Sequence, residues 1–338
     1  MTTHTGFSLL RIASAALAMG AAASANAGAP PVITQAGIDL GFTLSTIVSG
    51  LPSFNGSSYD VLGSAINSDG NIVLNNASTR TNYVFKDVDG QTAANALSST
   101  PYGGFASALA YANGAVWSSA DGGRLARLNN DGSVAQVYSN IFANQGMWTN
   151  PITGHLVAGN PLIDIDVSNI AAPVVTTIAA GFSADGVTVS PDGKFAYGSY
   201  GTIVDLATKA IVGNFGSVSG ADGMGVISAS GNPDLDGDII VNTTTGKMVL
   251  VDHVTFAQTI IATGGGYGDY ASPDYSNGSL MLSSSNNLMR LSCGKGCGIG
   301  SPPVDVPPVV PGIPEPETYA LMLAGLGLVG WFARRRPA

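Results

Sequence analysis

The sequence predicts an all-β domain: six four-stranded sheets arranged in a ring, a six-bladed β-propeller closed by its N-terminal strand. Three observations predict it. A turn dipeptide ending in Gly, followed by a short apolar strand, recurs six times, at Asp69-Gly70, Asn113-Gly114, Thr153-Gly154, Asp192-Gly193, Asp236-Gly237 and Asn277-Gly278. The successive glycines lie 44, 40, 39, 44 and 41 residues apart, and four short strands in a unit of about 40 residues is the arithmetic of a blade. The composition removes the helical alternatives. Only 10% of the 338 residues are charged, against roughly 25% in an ordinary soluble domain, and long exposed helices or coiled coils need Glu, Lys and Arg.

The elements follow in chain order. Residues 1–27 read as a signal peptide: His4 and Arg11 near the start, a small-residue apolar run from Ile12 to Ala23, and Ala25-Asn26-Ala27 as the cleavage site. This makes signal peptidase the first partner. Residues 28–41 are a lead-in, and 42–300 form the propeller. One strand follows each Gly-ended turn, and one precedes several of them, at Ala106 to Tyr111, Gly186 to Ser190 and Met224 to Ser228. A third comes next, for example Leu125 to Leu128, Thr202 to Asp205 and Met248 to Val251. A fourth appears about ten residues later, at Val134 to Tyr138, Val174 to Ile178, Ile211 to Phe215 and Gln258 to Ile261. The turn pairs suit the left-handed positions of a two-residue hairpin. The sixth unit has no fourth strand of its own, and Phe42 to Val48 is the candidate to fill the gap, leaving no open edge. The stretch Gly186 to Tyr197 resembles blades of the NHL, YVTN and related propeller families.

Cys293 and Cys297 are the only cysteines. In an exported chain they are expected to close a local disulfide, with free thiols or a metal pair as the alternatives. Residues 301–313, rich in Pro, read as a stiff extended stalk. Residues 314–338 begin Pro314-Glu315-Pro316-Glu317, run through fifteen uncharged residues from Tyr319 to Ala333 and end in Arg334-Arg335-Arg336 and two more residues. Fifteen is short of the roughly 20 that span a bilayer core comfortably, but snorkelling arginines and interfacial Tyr319 and Trp331 suit a short span with its end in the cytoplasm.

This three-part tail resembles the PEP-CTERM sorting signal of Gram-negative bacteria. The resemblance implies recognition through Pro314, Glu315 and Pro316 by exosortase, a membrane sorting protease. It also implies removal of the tail as the protein moves from an inner-membrane-anchored intermediate to the cell surface or the exopolysaccharide of a biofilm. It says nothing about the cargo's activity.

The cargo's chemistry is narrow. Between Gly28 and Ile313 there are 20 Asp and no Glu against 9 Lys plus Arg, a net of −11. Nucleic acid is excluded as a partner, because a phosphate-neutralising face needs cations. Two histidines, His155 and His253, are too few for a three-His zinc site, and no nucleophile elbow or H-E-x-x-H is present. No catalytic residue is assigned. Calcium is the one cofactor the acids suggest, at two places. Asn232, Asp234, Asp236 and Asp238 match the front half of a calcium loop, though Thr243 stands where a bidentate Glu is expected; the alternative is a lengthened hairpin turn. Asp60, Asp185, Asp222 and Asp269 each precede the first strand of a blade, so they are placed to meet at one mouth of the axial channel or to cap the Gly-rich loops beside them. Lactonase-like six-bladed propellers hold calcium on the axis, which the second grouping resembles, but they use Glu and Asn as well. Tyr59, Phe105, Trp148, Tyr267 and Tyr270 lie near the same loops, as blade packing or as a sugar-stacking platform. These features point to a binding or structural protein of the surface or matrix, engaging a polysaccharide or surface protein. A metal-dependent hydrolase or lyase is the alternative.

Overall fold

Short apolar strands need a sharp reversal between them, and the Gly-ended turns supply it. All six turn glycines have φ between 70° and 95°, the left-handed region that costs Gly least. In the computed structural model, residues 29–53, 60–103, 108–119, 121–228 and 232–293 are described. The expected signal peptide, stalk and sorting segment lie outside them. Among the described residues no helix is long and apolar enough to cross a membrane.

The strands of these residues form six antiparallel blades. Blade 1 runs from its inner strand outward as Val61–Ile66, Asn71–Asn76, Thr81–Lys86 and Ser98–Pro101. Blade 2 is Leu109–Ala112, Ala115–Ser119, Arg124–Leu128 and Val134–Phe142. Blade 3 is Met147–Thr149, Leu156–Ala158, Leu162–Asp166 and Val174–Ala179. Blade 4 is Val187–Val189, Phe195–Gly198, Thr202–Asp205 and Ala210–Asn214. Blade 5 is Ala221–Val226, Ile239–Thr243, Met248–Val251 and Gln258–Thr263. Blade 6 takes Ala271–Pro273, Leu280–Ser284 and Asn287–Cys293 from the end of the chain and Phe42–Ser49 from its beginning. That closing strand pairs with the third strand from Phe42↔Cys293 to Val48↔Leu288.

The turns differ from the expected two-residue form. Only in blade 2 do two residues, Asn113 and Gly114, bridge the paired Ala112 and Ala115. In blade 1 the Gly70 amide donates to Asn67 O while Asn67 N donates to Asn71 O, a three-residue turn. Blades 3 and 6 use four residues, with Asn150 N donating to His155 O and Asp274 N to Ser279 O. Short polar residues make this possible: Asn67 Oδ1 and Asp274 Oδ1 accept backbone amides inside their own turns. The lead-in also has structure. Val32–Ile33 adds an outer strand to blade 5, and Thr34 caps a short helix, Gln35–Asp39. Gln91–Thr92 covers the outer edge of the closing strand in parallel. Covered edges of this kind remove templates for unwanted pairing.

The inner strands approach one another at glycines. A Cβ on Gly186 would sit 2.0 Å from Asp222 O, on Gly146 2.4 Å from Val187 N, and on Gly223 2.5 Å from the Tyr270 carbonyl carbon. Backbone against backbone is what lets blades 3 to 6 meet at the axis. Tyr270, fully buried, then fills the channel: its hydroxyl reaches Ser64 O in blade 1 at 2.7 Å and Leu109 O in blade 2. The space left between the inner strands of blades 3 to 6 is about 10 Å³, scarcely room for one water.

The closing seam is electrostatic as well as hydrogen-bonded. Arg290, on the third strand of blade 6, is 10% exposed and contacts Asp274 (2.5 Å), Asp87 (2.5 Å) and Asp89 (2.9 Å). Asp87 and Asp89 lie just past the third strand of blade 1, so one guanidinium joins the last blade to the first. Ser45 of the closing strand donates to Asp89 Oδ2 at 2.6 Å. The fork geometry of Arg suits several carboxylates at once. Cys293, at the end of this strand, is disulfide-bonded; Cys297 lies outside the described residues.

Candidate functional site

Three of the four aspartates expected at the axial mouth come together. Asp185 and Asp269 precede the inner strands of blades 4 and 6 and Asp222 is the second residue of the inner strand of blade 5, each one residue before the point of close backbone approach. Second-strand serines hold two of these steps. Ser199 Oγ accepts from Asp185 N (3.1 Å) and Gly186 N (3.2 Å), and Ser283 Oγ accepts from Asp269 N and Tyr270 N (2.9 Å each). Asp60 is engaged elsewhere: Ser78 on the turn beyond the second strand of blade 1 donates to its Oδ1 at 2.5 Å. Burial raises the Asp60 carboxyl above its ordinary range, and hydrogen bonds from Ser78 and Ser53 oppose that rise.

The trio behaves as a coupled acid cluster. Asp222 is 6% exposed. Burial, then the Asp269 and Asp185 charges, push its carboxyl up to about 9. Burial raises Asp269 to about 7, with a hydrogen bond from Asp222 opposing the rise and the Asp185 charge adding to it. Asp222 and Asp269 thus share a proton at neutral pH, in the manner of two like charges that cannot both ionise in one site. Tyr267 OH donates to Asp222 Oδ2 at 3.3 Å. Asp185 is held by Gln145 Nε2 (2.6 Å) and Tyr200 OH (2.5 Å), and this bond to Asp185 pushes the Tyr200 phenol up to about 12.

Gln145 and Tyr200 were not among the residues expected from sequence. Gln145 had a signal: it stands directly before Gly146, as Asp185 and Asp222 stand before Gly186 and Gly223. Tyr200 had none, because it reaches the mouth from the loop after the second strand. Of the aromatics near these loops, Trp148 (1% exposed) and Tyr270 (3% exposed) are packing residues. Tyr267 is half-buried, and Tyr59 and Phe105 lie outside the described residues.

Calcium's fit can be judged from the same geometry. Asp222 Oδ1 is buried and accepts no protein hydrogen, which suits a cation. Each oxygen of Asp185, however, already accepts a hydrogen bond, from Gln145 or from Tyr200. Among the described residues no three His, Cys, Asp or Glu side chains are grouped closely enough to hold a metal ion. A cation at the mouth has to compete with these hydrogen bonds to Asp185.

The loop Asn232 to Asp238 joins the first two strands of blade 5. Asp238 is 2% exposed, and its Oδ1 accepts from His253 N and from His253 Nδ1, both at 2.9 Å. Asn232 Oδ1 accepts from Asp234 N at 3.1 Å. Asp236 lines a groove of about 560 Å³ between blades 4 and 5. The Asp238 carboxylate is thus engaged with His253.

Comparison with known proteins agrees with both parts of the chain. Residues 312–336 match the PEP-CTERM protein-sorting motif. No curated protein matches the chain in sequence. Among solved structures, a gluconolactonase from Xanthomonas campestris shares the fold over 78% of this chain and 95% of its own, at 15% identity and a TM-score of 0.51. The WD40 propeller domain of Doa1 matches over 73% of this chain and 81% of its own, at 14% identity and a TM-score of 0.44. The dihydro-heme d1 dehydrogenase NirN matches over 68% and 52%, at 18% identity and 0.43. The sorting motif implies export and processing by exosortase from a membrane-anchored intermediate. The chain is a six-bladed β-propeller that carries a PEP-CTERM protein-sorting motif.

Proposed function

We propose that the protein is a surface-delivered binding or structural component, held at the cell surface or in the extracellular matrix, with the propeller as the binding module. The supporting observation is the pairing of a sorting motif with a propeller whose axial acids are hydrogen-bonded to one another and whose channel is filled by Tyr270. In this reading signal peptidase removes residues 1–27, residues 42–300 form the module, and residues 301–313 hold it off the membrane. Exosortase acts at the segment beginning with Pro314, Glu315 and Pro316, and Arg334 to Arg336 keep the tail's end in the cytoplasm until then. Pull-down of surface polymer and surface protein from producing cells tests the binding role; retention of neither contradicts it.

A second reading, a calcium-dependent hydrolase or lyase, draws on the convergence of Asp185, Asp222 and Asp269. Calcium titration followed by calorimetry, with Asp222→Asn as control, separates the two. Heat that Asp222→Asn abolishes favours the second reading. No heat in either protein leaves the first.

A further inference from the structure

A groove lies between blades 4 and 5, away from the axis. Tyr197 (7% exposed) lies in its floor, and Phe256 (37% exposed) and Val212 (53% exposed) stand at its rim. At about 560 Å³ it falls within the roughly 300–1,000 Å³ of small-ligand sites. Two features of it are built rather than incidental.

The first is Phe256. It occupies a left-handed position, φ +60°, where a bulky side chain is a true outlier. The same turn occurs in blade 4. There Asp205 Oδ1 accepts from Ala207 N and Thr208 N, and Lys209 takes φ +59°. In blade 5 Asp252 Oδ1 accepts from Val254 N and Thr255 N, and Phe256 takes the strained place. The turn closes without an aromatic, so its geometry does not require Phe256. The second feature is His253. Buried Asp238 takes both its backbone amide and its Nδ1 hydrogen, which fixes the ring's orientation and tautomer. Nε2 has no protein partner among the described residues, and the ring lines the groove. Asp192, ion-paired with Lys194 at 2.9 Å, and Asp236 also line it, and none of the described lining residues is itself Lys or Arg. An anionic polymer is disfavoured; a neutral ligand with an apolar face and several hydroxyls suits the aromatic rim and the oriented acceptors.

We propose that this groove binds a neutral pyranose unit of a polysaccharide, stacked on Phe256, with a hydroxyl donating to His253 Nε2. This rests on the surface-binding reading and names its site. Affinity electrophoresis of the full chain, recovered from producing cells, through gels containing neutral glucans, mannans or galactans tests it, with a polyuronate gel as the acidic control. The expected result is retardation by at least one neutral polymer, weakened tenfold or more by Phe256→Gly and by His253→Ala and unchanged by Lys209→Gly. Phe256→Gly should melt at or above the parent's temperature, because Gly relieves the strained position; a purely structural Phe256 would lower it. Parental binding by both Phe256→Gly and His253→Ala, retardation by the polyuronate alone, or no retardation at all overturns the proposal. Retention of surface material that survives both substitutions removes the groove but leaves the surface-binding reading standing.

Discussion

Asp222 and Asp269 are residues whose ionisation bears on stability. Both carboxyls are raised above their unfolded range by burial first; the Asp269 and Asp185 charges add to the rise of Asp222, and for Asp269 a hydrogen bond from Asp222 opposes the rise while the Asp185 charge adds to it. A raised carboxyl contributes stability that is full below its unfolded pKa, near 4, and lost as pH rises through its folded value. The loss therefore runs from about pH 4 through 7 for Asp269 and 9 for Asp222. Asp222→Asn, which mimics the protonated acid, is expected to melt close to the parent at pH 5 and above it at pH 8 to 9. Melting curves across this range check it; a gap that does not widen with pH contradicts the shared proton. The grouping of Asp185, Asp222 and Asp269 was legible because each stands at the same step of its repeat. The diversion of Asp60 to Ser78 was not, because it depends on a contact 18 residues away that no period marks. The pairing of Asp238 with His253 was hidden in the same way: a front-half calcium motif and an isolated histidine look unrelated until blade 5 folds them together.

At the scale of elements, the seam between blades 6 and 1 is the point on which the ring depends. Arg290 neutralises acids of which Asp274 is wholly buried and Asp87 nearly so. Removing it leaves carboxylates buried without a partner, the case in which breaking a buried pair costs about 3–5 kcal/mol. Arg290→Met is expected to lose that much in denaturant unfolding, while Asp89→Asn, at a carboxylate 42% exposed, should lose less than about 1 kcal/mol. Equal losses would contradict the latch. Gly186→Ala presses a methyl onto the Asp222 carbonyl and is expected to cost at least about 1–3 kcal/mol by overpacking; parental stability would show that the blades have slack at the axis. Most of the strands were legible from the Gly-ended turns and apolar alternation, including the closing strand from Phe42. Outer pieces were not, Gln91–Thr92 among them. Ser98–Pro101 is a polar, proline-ended edge strand, and Val32–Ile33 is too short to show alternation; each is recruited by an edge already formed, which local pattern cannot announce. The two-residue turn was over-generalised because Gly at a left-handed position serves three- and four-residue turns equally well.

For the whole molecule, the acidic, glutamate-free cargo and the sorting motif divide the chain cleanly: both glutamates lie at Glu315 and Glu317, inside the matched segment. The destination was therefore more legible than the ligand. A sorting signal is a contiguous pattern, whereas a binding groove is assembled from turns on different blades, as Tyr197 and Phe256 are. The propeller is expected to be delivered by the sorting pathway and released from its tail. Intact-mass measurement of the protein from the surface fraction decides this. A mature chain that lacks Arg334 to Arg336 is the expected result; a surface form that still ends in Arg334-Arg335-Arg336 and Ala338 would contradict it.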